Sequence, residues 1–221
     1  MSADERYVPA AGRTGLTALY DPLVALTMRE RAFRRALIAA VLGGGRPRVV
    51  LDMGCGTGSV ASRLAAADPH VQVLGVDGDE AVLALACEKC ARFGERVRFT
   101  KGMAGALPME SASVDVAVAS LLLHHLSPGA KRQALAEARR VLAPAGRLVI
   151  ADWGRPQDPL AHAGFLMLRL LDGFANTADH AAGRLPSLLV RAGFADVKVE
   201  QRWRTLWGSL ELIVAGRGRQ A

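Results

Sequence analysis

The sequence predicts an α/β domain in which a parallel β-sheet is covered by helices on both faces. Predicted strands and helices alternate along most of the chain, an order typical of parallel sheets built from βαβ units. The predicted strands are apolar at consecutive positions, as expected of strands buried on both faces. A length of 221 residues suits one such domain with a full core.

The individual elements follow from local signals, taken in chain order. Residues 14–43 are predicted to form two helices broken near Asp21 and Pro22, because proline disfavours helix in the residue before it. Asp79 is the predicted N-cap of a helix that runs to about Arg92, and Ser127 caps a helix that stops at Pro144. Shorter helices are predicted at Gly58–Ala67 and Leu185–Ala192. The predicted strands are Val49–Met53, Val71–Asp77, Val97–Thr100, Val114–Ser120, Arg147–Asp152, one through Val197 and Val199, and Leu206–Ala215.

The composition excludes several classes of protein. Apolar residues make up 51% of the chain, which excludes a disordered protein, and no apolar run reaches eighteen residues. The polar start resembles no signal peptide, so a cytoplasmic protein is expected. The net charge of +7 arises from 28 basic residues against 21 acidic ones. The basic residues are 24 Arg and 4 Lys, and such an excess of Arg over Lys is typical of GC-rich genomes. The arginines are scattered, and the densest group, Arg29–Arg35, is predicted to be a solvated helix face and not a nucleic-acid patch.

The three cysteines are predicted to be packing residues. Cys55, Cys87 and Cys90 cannot pair completely, and no second pair completes a zinc site around Cys87 and Cys90. Both fall on the apolar stripe of a predicted helix. No metal site is therefore expected.

The strongest chemical signal lies in residues 49–58, where an apolar strand delivers Asp52 and is followed by Gly54, Gly56 and Gly58. Glycines permit a tight turn and a close approach of backbone to ligand. The next predicted strand ends in a second carboxylate, Asp77, 23 residues after Gly54. An acidic residue at this spacing accepts hydrogen bonds from ribose hydroxyls in nucleoside-binding α/β proteins.

These motifs resemble those of the class I S-adenosylmethionine-dependent methyltransferases. Leu51–Gly58 resembles the first motif of that family and Gly75–Asp77 the second. Leu107–Asp115 is similar to the L-P-F-x-D-x-S-F-D segment of the small quinone-biosynthesis-type branch, and Leu122–Leu126 fits the same branch. The resemblance implies a three-layer, Rossmann-like sheet of seven mostly parallel strands with an antiparallel last strand.

The expected organisation is one methyltransferase domain over residues 1–221. Residues 1–45 would form an N-terminal helical cap, and 46–153 the cofactor-binding core. Residues 154–184 would be an inserted acceptor pocket or lid, and 185–221 a C-terminal helix and strands.

The resemblance also implies S-adenosyl-L-methionine as the cofactor. The glycines would border its methionine half, Asp77 would hold its ribose, and Ser120 and Leu121 would line the wall near the sulfonium. Tyr20 resembles an N-terminal tyrosine that closes over the cofactor in some relatives. The predicted cofactor-binding residues are Tyr20, Asp52, Gly54, Cys55, Gly56, Thr57, Gly58, Asp77, Gly78, Met103, Ala104, Ser120 and Leu121.

The sequence departs from the family at the adenine site. Relatives often have Gly-Asp-Ala after the third strand, where the Asp bonds the adenine amino group, whereas this chain has Gly102, Met103 and Ala104. A methionine cannot accept that bond, so adenine is expected to rest on apolar contact and backbone groups.

His124 and His125 follow the fourth strand and are the candidate base or acceptor-positioning residues, since histidine titrates near neutrality. The apolar segment 154–184 is expected to be buried, over a small apolar or aromatic acceptor or, alternatively, against the core or a second subunit as a homodimer seam. No nucleic-acid partner is expected. Two other functions stay open: a non-methylating or regulatory S-adenosylmethionine binder, and a nicotinamide-dependent oxidoreductase, which would need a longer glycine spacing.

Overall fold

The structure is a computed structural model that describes residues 30–218. Its strands are β1 (Val49–Met53), β2 (Gln72–Asp77), β3 (Val97–Lys101), β4 (Val114–Ser120), β5 (Leu142–Gly154), β6 (Ala195–Thr205) and β7 (Gly208–Gly216). The α-helices are α1 (Glu30–Leu42), α2 (Ser59–Ala67), α3 (Glu80–Cys90), α4 (Pro128–Val141), α5 (Pro159–Asp172), α6 (Phe174–Ala181) and α7 (Leu185–Arg191). Short 3₁₀ turns occupy Ala91–Arg96 and Leu123–His125.

One seven-stranded sheet organises the described chain, in the order β3-β2-β1-β4-β5-β7-β6. The pairs among β1 to β5 are parallel, and β7 is antiparallel to both β5 and β6. The predicted fold class and the antiparallel last strand are therefore confirmed. The strand order reverses between β1 and β4: β2 and β3 lie on one side of β1, and β4 and β5 lie on the other. Ligands of such sheets bind beyond the carboxyl ends of the strands at this point.

Two apolar clusters, one on each face, bury the sheet. One contains Phe33 and Leu37 of α1 and Leu64 of α2, and the other contains Leu135 of α4 and Leu189 of α7. Burial on both faces explains why the central strands are apolar at consecutive positions.

The helix starts follow the predicted capping chemistry. Asp79 Oδ1 accepts hydrogen bonds from the backbone N–H groups of Ala81 (2.9 Å) and Val82 (3.3 Å). Ser127 Oγ accepts from the N–H of Ala130 at 3.2 Å, with Pro128 at the first helical position. Each cap satisfies N–H groups that a helix start leaves without partners. Because these caps directly follow strand ends or their loops, they fix where the helices leave the ligand-binding edge.

Candidate functional site

A cavity of about 640 Å³ lies at the carboxyl ends of β1, β2 and β4. This volume falls in the range of small-molecule and cofactor sites. All the predicted cofactor residues that lie within the described chain line the cavity, except Gly58. Tyr20 lies outside the described residues. The sequence analysis missed the following lining residues: Arg34, Ser59, Val60, Val76, Gly102, Leu122, Leu126, Ser127, Ala130 and Asn176.

The glycine loop turns through backbone conformations that side chains rarely adopt. Gly54, Gly56 and Gly58 have φ angles of 65°, 52° and 71°. At Gly56 a Cβ would meet nothing within 4 Å, because this glycine borders the cavity. A larger residue there would be strained and would extend into space that a ligand needs.

Asp77 holds the glycine loop in place. Its Oδ2 accepts a hydrogen bond from the N–H of Gly56 at 2.9 Å, and its Oδ1 accepts from the N–H of Asp79 at 3.1 Å. A carboxylate has about four acceptor positions, so two contacts leave capacity for ligand hydroxyls. Asp77 lines the cavity.

Asp52, at the end of β1, is a buried carboxylate in the cavity wall. Its side chain is 1% exposed, and its Oδ2 has no hydrogen-bond partner among the described residues. Burial raises its pKa to about 7, although the positive charge of Arg34 opposes the shift; Asp77 adds to it. A buried oxygen without a partner costs free energy, so Asp52 is a group that a cationic ligand would satisfy.

The region expected to hold adenine follows β3. Gly102, Met103 and Ala104 all line the cavity, and Met103 is 45% exposed. Met103 also forms an isolated antiparallel bridge with Ala106, which fixes the backbone of this loop. The thioether side chain offers apolar surface at the position where relatives often have a carboxylate.

The wall beyond β4 contains a strained residue. Leu121 has a φ of 54°, a conformation that costs a side chain about 1–3 kcal/mol. Its N–H donates to the carbonyl of Ala151 at 2.8 Å, which fixes the turn between Ser120 and Leu122. All three residues line the cavity.

The two candidate histidines occupy different environments. His124 is buried and does not line the cavity, whereas His125 is 27% exposed and does. His124 Nδ1 lies 2.7 Å from Asp152 Oδ1. An ionised carboxylate only accepts hydrogen bonds, so Nδ1 carries the proton of this contact. His125 is therefore the better placed of the two to contact an acceptor.

Asp152, near the end of β5, organises this corner and was not predicted as a site residue. Its carboxylate also accepts from the N–H groups of Leu123 and Trp153, both at 2.7 Å. Burial by itself raises its pKa, but the attraction of His124 and His180, with the hydrogen bonds, holds the pKa well below its usual range. One signal in the sequence could have indicated Asp152 as a site residue: it is the last residue of the predicted strand Arg147–Asp152, and that strand pairs with β4.

His180 of α6 is a buried neighbour of this corner. Its Nδ1 lies 2.7 Å from the carbonyl oxygen of Trp153, so this nitrogen donates. Burial lowers its pKa to about 4. The other nitrogen, Nε2, has no hydrogen-bond partner among the described residues.

Within the single described chain, most apolar side chains of segment 154–184 are not covered by the core or by the cavity. Burial against a second subunit, the other alternative, stays a prediction. Phe165 and Leu168 are buried, and Asn176 lines the cavity. The side chains of this segment that are about half exposed or more are Leu160, Leu166, Met167, Leu170, Leu171 and Phe174. In the described chain, the apolar face of α5 therefore points to the outside and not into the cavity.

The cysteine expectation needs one correction. Cys90 is buried, and Cys55 is buried in the cavity wall, but Cys87 is exposed and does not pack in the core. Within α3 the buried positions are Leu83, Ala86 and Cys90. Position 87 lies beside that stripe and not in it.

The fold and the cavity can be compared with those of known proteins. Residues 50–146 match the model of the methyltransferase domain family. The structure superposes on that of a Bacillus subtilis protein with a TM-score of 0.68 and 19% identity, covering 86% of this chain and 100% of the other. Phosphoethanolamine N-methyltransferase 2 of Haemonchus contortus, solved with S-adenosyl-L-methionine, gives a TM-score of 0.67 at 17% identity, covering 85% and 53%.

Sequence relatives indicate which branch of the methyltransferases the chain resembles. The chain is 36% identical over 136 residues to the demethylmenaquinone methyltransferase of Deinococcus radiodurans, covering 62% of this chain and 55% of that protein. It is 32% identical over 133 residues to a ubiquinone/menaquinone biosynthesis C-methyltransferase of Syntrophotalea carbinolica, covering 59% and 54%. The predicted resemblance to the quinone-biosynthesis-type branch is confirmed. The chain spans about half the length of the curated relatives it matches.

Proposed function

We propose that the chain binds S-adenosyl-L-methionine in this cavity and transfers its methyl group to a small, largely apolar or aromatic acceptor. The observation that carries the proposal is the pair of carboxylates, Asp52 and Asp77, on either side of the left-handed glycine loop. Asp77 would accept the ribose hydroxyls. Asp52 would accept the cofactor's ammonium group, which would supply the partner that its Oδ2 lacks.

The carboxylate of Asp52 argues against a nicotinamide cofactor. Dinucleotide-binding folds place an anionic pyrophosphate against the glycine loop. Here the loop is followed by Asp77 and preceded by Asp52, whose ionised form would repel phosphate and attract a cation. A ligand with an ammonium and a sulfonium group fits this charge pattern.

The acceptor would lie beyond the sulfonium, against the wall made by the β4 turn, α4 and α6. That wall contributes the apolar side chains Leu122, Leu126 and Ala130 and the polar groups of His125 and Asn176. Asn176 Nδ2 donates to the carbonyl of His125 at 3.1 Å, which fixes the two elements relative to each other. Few polar groups in an apolar wall suit a small acceptor held in one orientation. His125 would position the acceptor or take its proton.

Calorimetric titration with S-adenosylhomocysteine and with NAD tests the cofactor. We expect binding of the first only, weakened about 10- to 100-fold in Asp77→Asn through the loss of about 1.5–3 kcal/mol of charge-assisted hydrogen bonding. Glu80→Gln is the matched control, because Glu80 is an exposed acid three residues away that pairs with Lys101. Binding of NAD alone would refute the proposal.

Turnover tests the reaction. Formation of S-adenosylhomocysteine with a panel of small aromatic and quinone-like acceptors separates a methyltransferase from a regulatory binder of the same cofactor. In Ala130→Leu, where the side chain extends into the acceptor end, we expect a raised acceptor KM with unchanged cofactor affinity. Ala136→Leu, an exposed alanine on the same helix, is the control.

We further propose a cytoplasmic protein without a nucleic-acid partner, and a homodimer through the exposed apolar face of α5. The unpaired cysteines support the first point, since disulfides are typical of oxidising compartments. The exposed leucines of α5 support the dimer. Within residues 30–218, no helix is long and apolar enough to cross a bilayer.

A further inference from the structure

Three side chains from distant elements converge beside the cavity. His124 and His125 follow β4, and Asp172 is the last residue of α5. His125 Nδ1 lies 3.4 Å from Asp172 Oδ1, and His124 Nε2 lies 3.8 Å from Asp172 Oδ2. The candidate ligand atoms of all three residues lie within 4.8 Å of one another. Both N···O distances exceed an ordinary N–H···O hydrogen bond, so direct hydrogen bonding does not explain the cluster.

A further carboxylate orients one of these histidines. Asp152 accepts the Nδ1 proton of His124 at 2.7 Å and is itself fixed by the backbone N–H of Leu123, also at 2.7 Å. A neutral imidazole that donates through Nδ1 has its lone pair on Nε2. That nitrogen is the one nearest to Asp172. A carboxylate behind a histidine, with the free nitrogen directed at a shared point, is the arrangement that orients metal-binding histidines.

We propose that His124 Nε2, His125 Nδ1 and the carboxylate of Asp172 form a binding site for a divalent transition-metal ion of the zinc or ferrous class. The proposal goes beyond methyl transfer and does not depend on it. It also departs from the sequence-based expectation of no metal, which considered only the cysteines and adjacent motifs.

The spacing of the cluster suits tetrahedral coordination. Metal–ligand bonds of about 2.0–2.2 Å at tetrahedral angles separate ligand atoms by about 3.3–3.6 Å. The two histidine–carboxylate separations of 3.4 and 3.8 Å lie within a few tenths of an ångström of this range. The ligand nitrogens of the two histidines lie within 4.8 Å of each other. Two imidazoles and one carboxylate favour zinc or iron(II) over magnesium or calcium, which prefer oxygen ligands. A set of three protein ligands leaves a position for water or another oxygen ligand.

The local charge also favours a cation. Asp152, Asp172 and Asp179 are all at most 15% exposed in their side chains. Lys131 is the buried cation of this corner; its ammonium lies 3.8 Å from Asp179 and donates to the carbonyl of Asn176. Arg184 also pairs with Asp179, at 3.1 Å. A divalent ion at the cluster would offset the charge of Asp172, whose ion-pair contacts within residues 30–218 are the two histidines. A metal-free contact of the two histidines with Asp172 is the competing explanation.

Direct metal binding separates the two explanations. Untagged protein is stripped with a chelator and dialysed against Zn²⁺, and the bound metal is measured by elemental analysis; Co²⁺ provides a visible absorption spectrum that reports its coordination. We expect about one ion per chain in the wild type and at least tenfold weaker binding in Asp172→Asn and His125→Gln. Asp152→Asn should weaken binding by about 10- to 100-fold, as expected for a residue that orients a ligand. His162→Gln, an exposed histidine on α5 outside the cluster, should bind like the wild type.

Several results would overturn the site. These are the absence of bound zinc in the wild type, full binding in Asp172→Asn, and a loss of zinc in Cys87→Ser. Asp172 and His125 are partly exposed, so their variants should fold, and far-UV circular dichroism with thermal unfolding checks this. Calorimetry with S-adenosylhomocysteine on the metal-free protein tests the cofactor separately. Cofactor binding without metal binding would refute this inference and leave the proposed function intact.

Discussion

Asp52→Asn should stabilise the apo protein in a pH-dependent way while weakening cofactor binding. The folded protein holds the Asp52 proton up to a pKa of about 7, because burial disfavours the charged form, whereas the ordinary value is 3.8. Between these values the folded state binds more protons than the unfolded state, so wild-type stability falls as the pH rises. The asparagine side chain is similar in shape and does not titrate, so its variant escapes this loss.

The magnitude follows from the size of the shift. A difference of about three pKa units corresponds to about 4 kcal/mol once Asp52 is fully ionised. At pH 5, which is about one pH unit above the ordinary pKa of 3.8, a part of this free-energy cost is already present. The stability advantage of Asp52→Asn should therefore grow by about 3 kcal/mol between pH 5 and pH 8.5. Urea unfolding of both proteins at the two pH values measures it directly.

Cofactor binding should change in the opposite direction. If Asp52 accepts the cofactor's ammonium group, the variant loses about 1.5–3 kcal/mol of binding free energy at pH 8. Wild-type affinity should weaken as the pH falls below 7, because protonation removes the charge, and the variant should lack this dependence. An advantage in stability that does not change with pH would refute the burial argument. Wild-type-like cofactor affinity in the variant would refute the assigned contact.

Four further outcomes are expected. Met103→Ala should weaken S-adenosylhomocysteine by about 1 kcal/mol, roughly fivefold, through lost apolar contact, without changing the unfolding midpoint; unchanged affinity would mean that adenine lies elsewhere. Cys87→Ser should leave urea stability within about 0.5 kcal/mol, because the side chain is exposed. Leu166→Trp and Leu170→Trp should leave acceptor kinetics unchanged, since both side chains are exposed and outside the cavity wall, and sedimentation of these variants tests the proposed dimer seam. His180 is buried with a pKa lowered to about 4, so its contribution of about 3 kcal/mol to the free energy of unfolding is present above pH 6.5 and is lost as the pH falls towards 4. In urea unfolding, the stability of His180→Gln should therefore depend less on acid pH than that of the wild type.

The sequence alone was sufficient for the sheet and for placing the glycine loop and Asp77 in the cavity wall. These features depend on residues close together in the chain. A strand buried on both faces is indicated by consecutive apolar residues, as in Val114–Ser120, and the predicted bounds of that strand are the observed ones. The glycine loop directly follows β1, and Asp77 is the last residue of β2. Because the carboxyl ends of neighbouring parallel strands meet at one edge, adjacency in space followed from the fold class.

Only the tertiary structure decided the environment of the other groups. Asp152 is 28 residues from His124, and Asp172 is a further 20 along the chain; no local pattern shows that they meet. The same holds for Asn176, which reaches the carbonyl of His125 across 51 positions. Burial is likewise a property of the packed molecule. The apolar run in α5 predicted a helix buried against the core, an acceptor or a second subunit. Within the single chain Leu170 is 60% exposed, because the sheet and the neighbouring helices cover only one side of the helix.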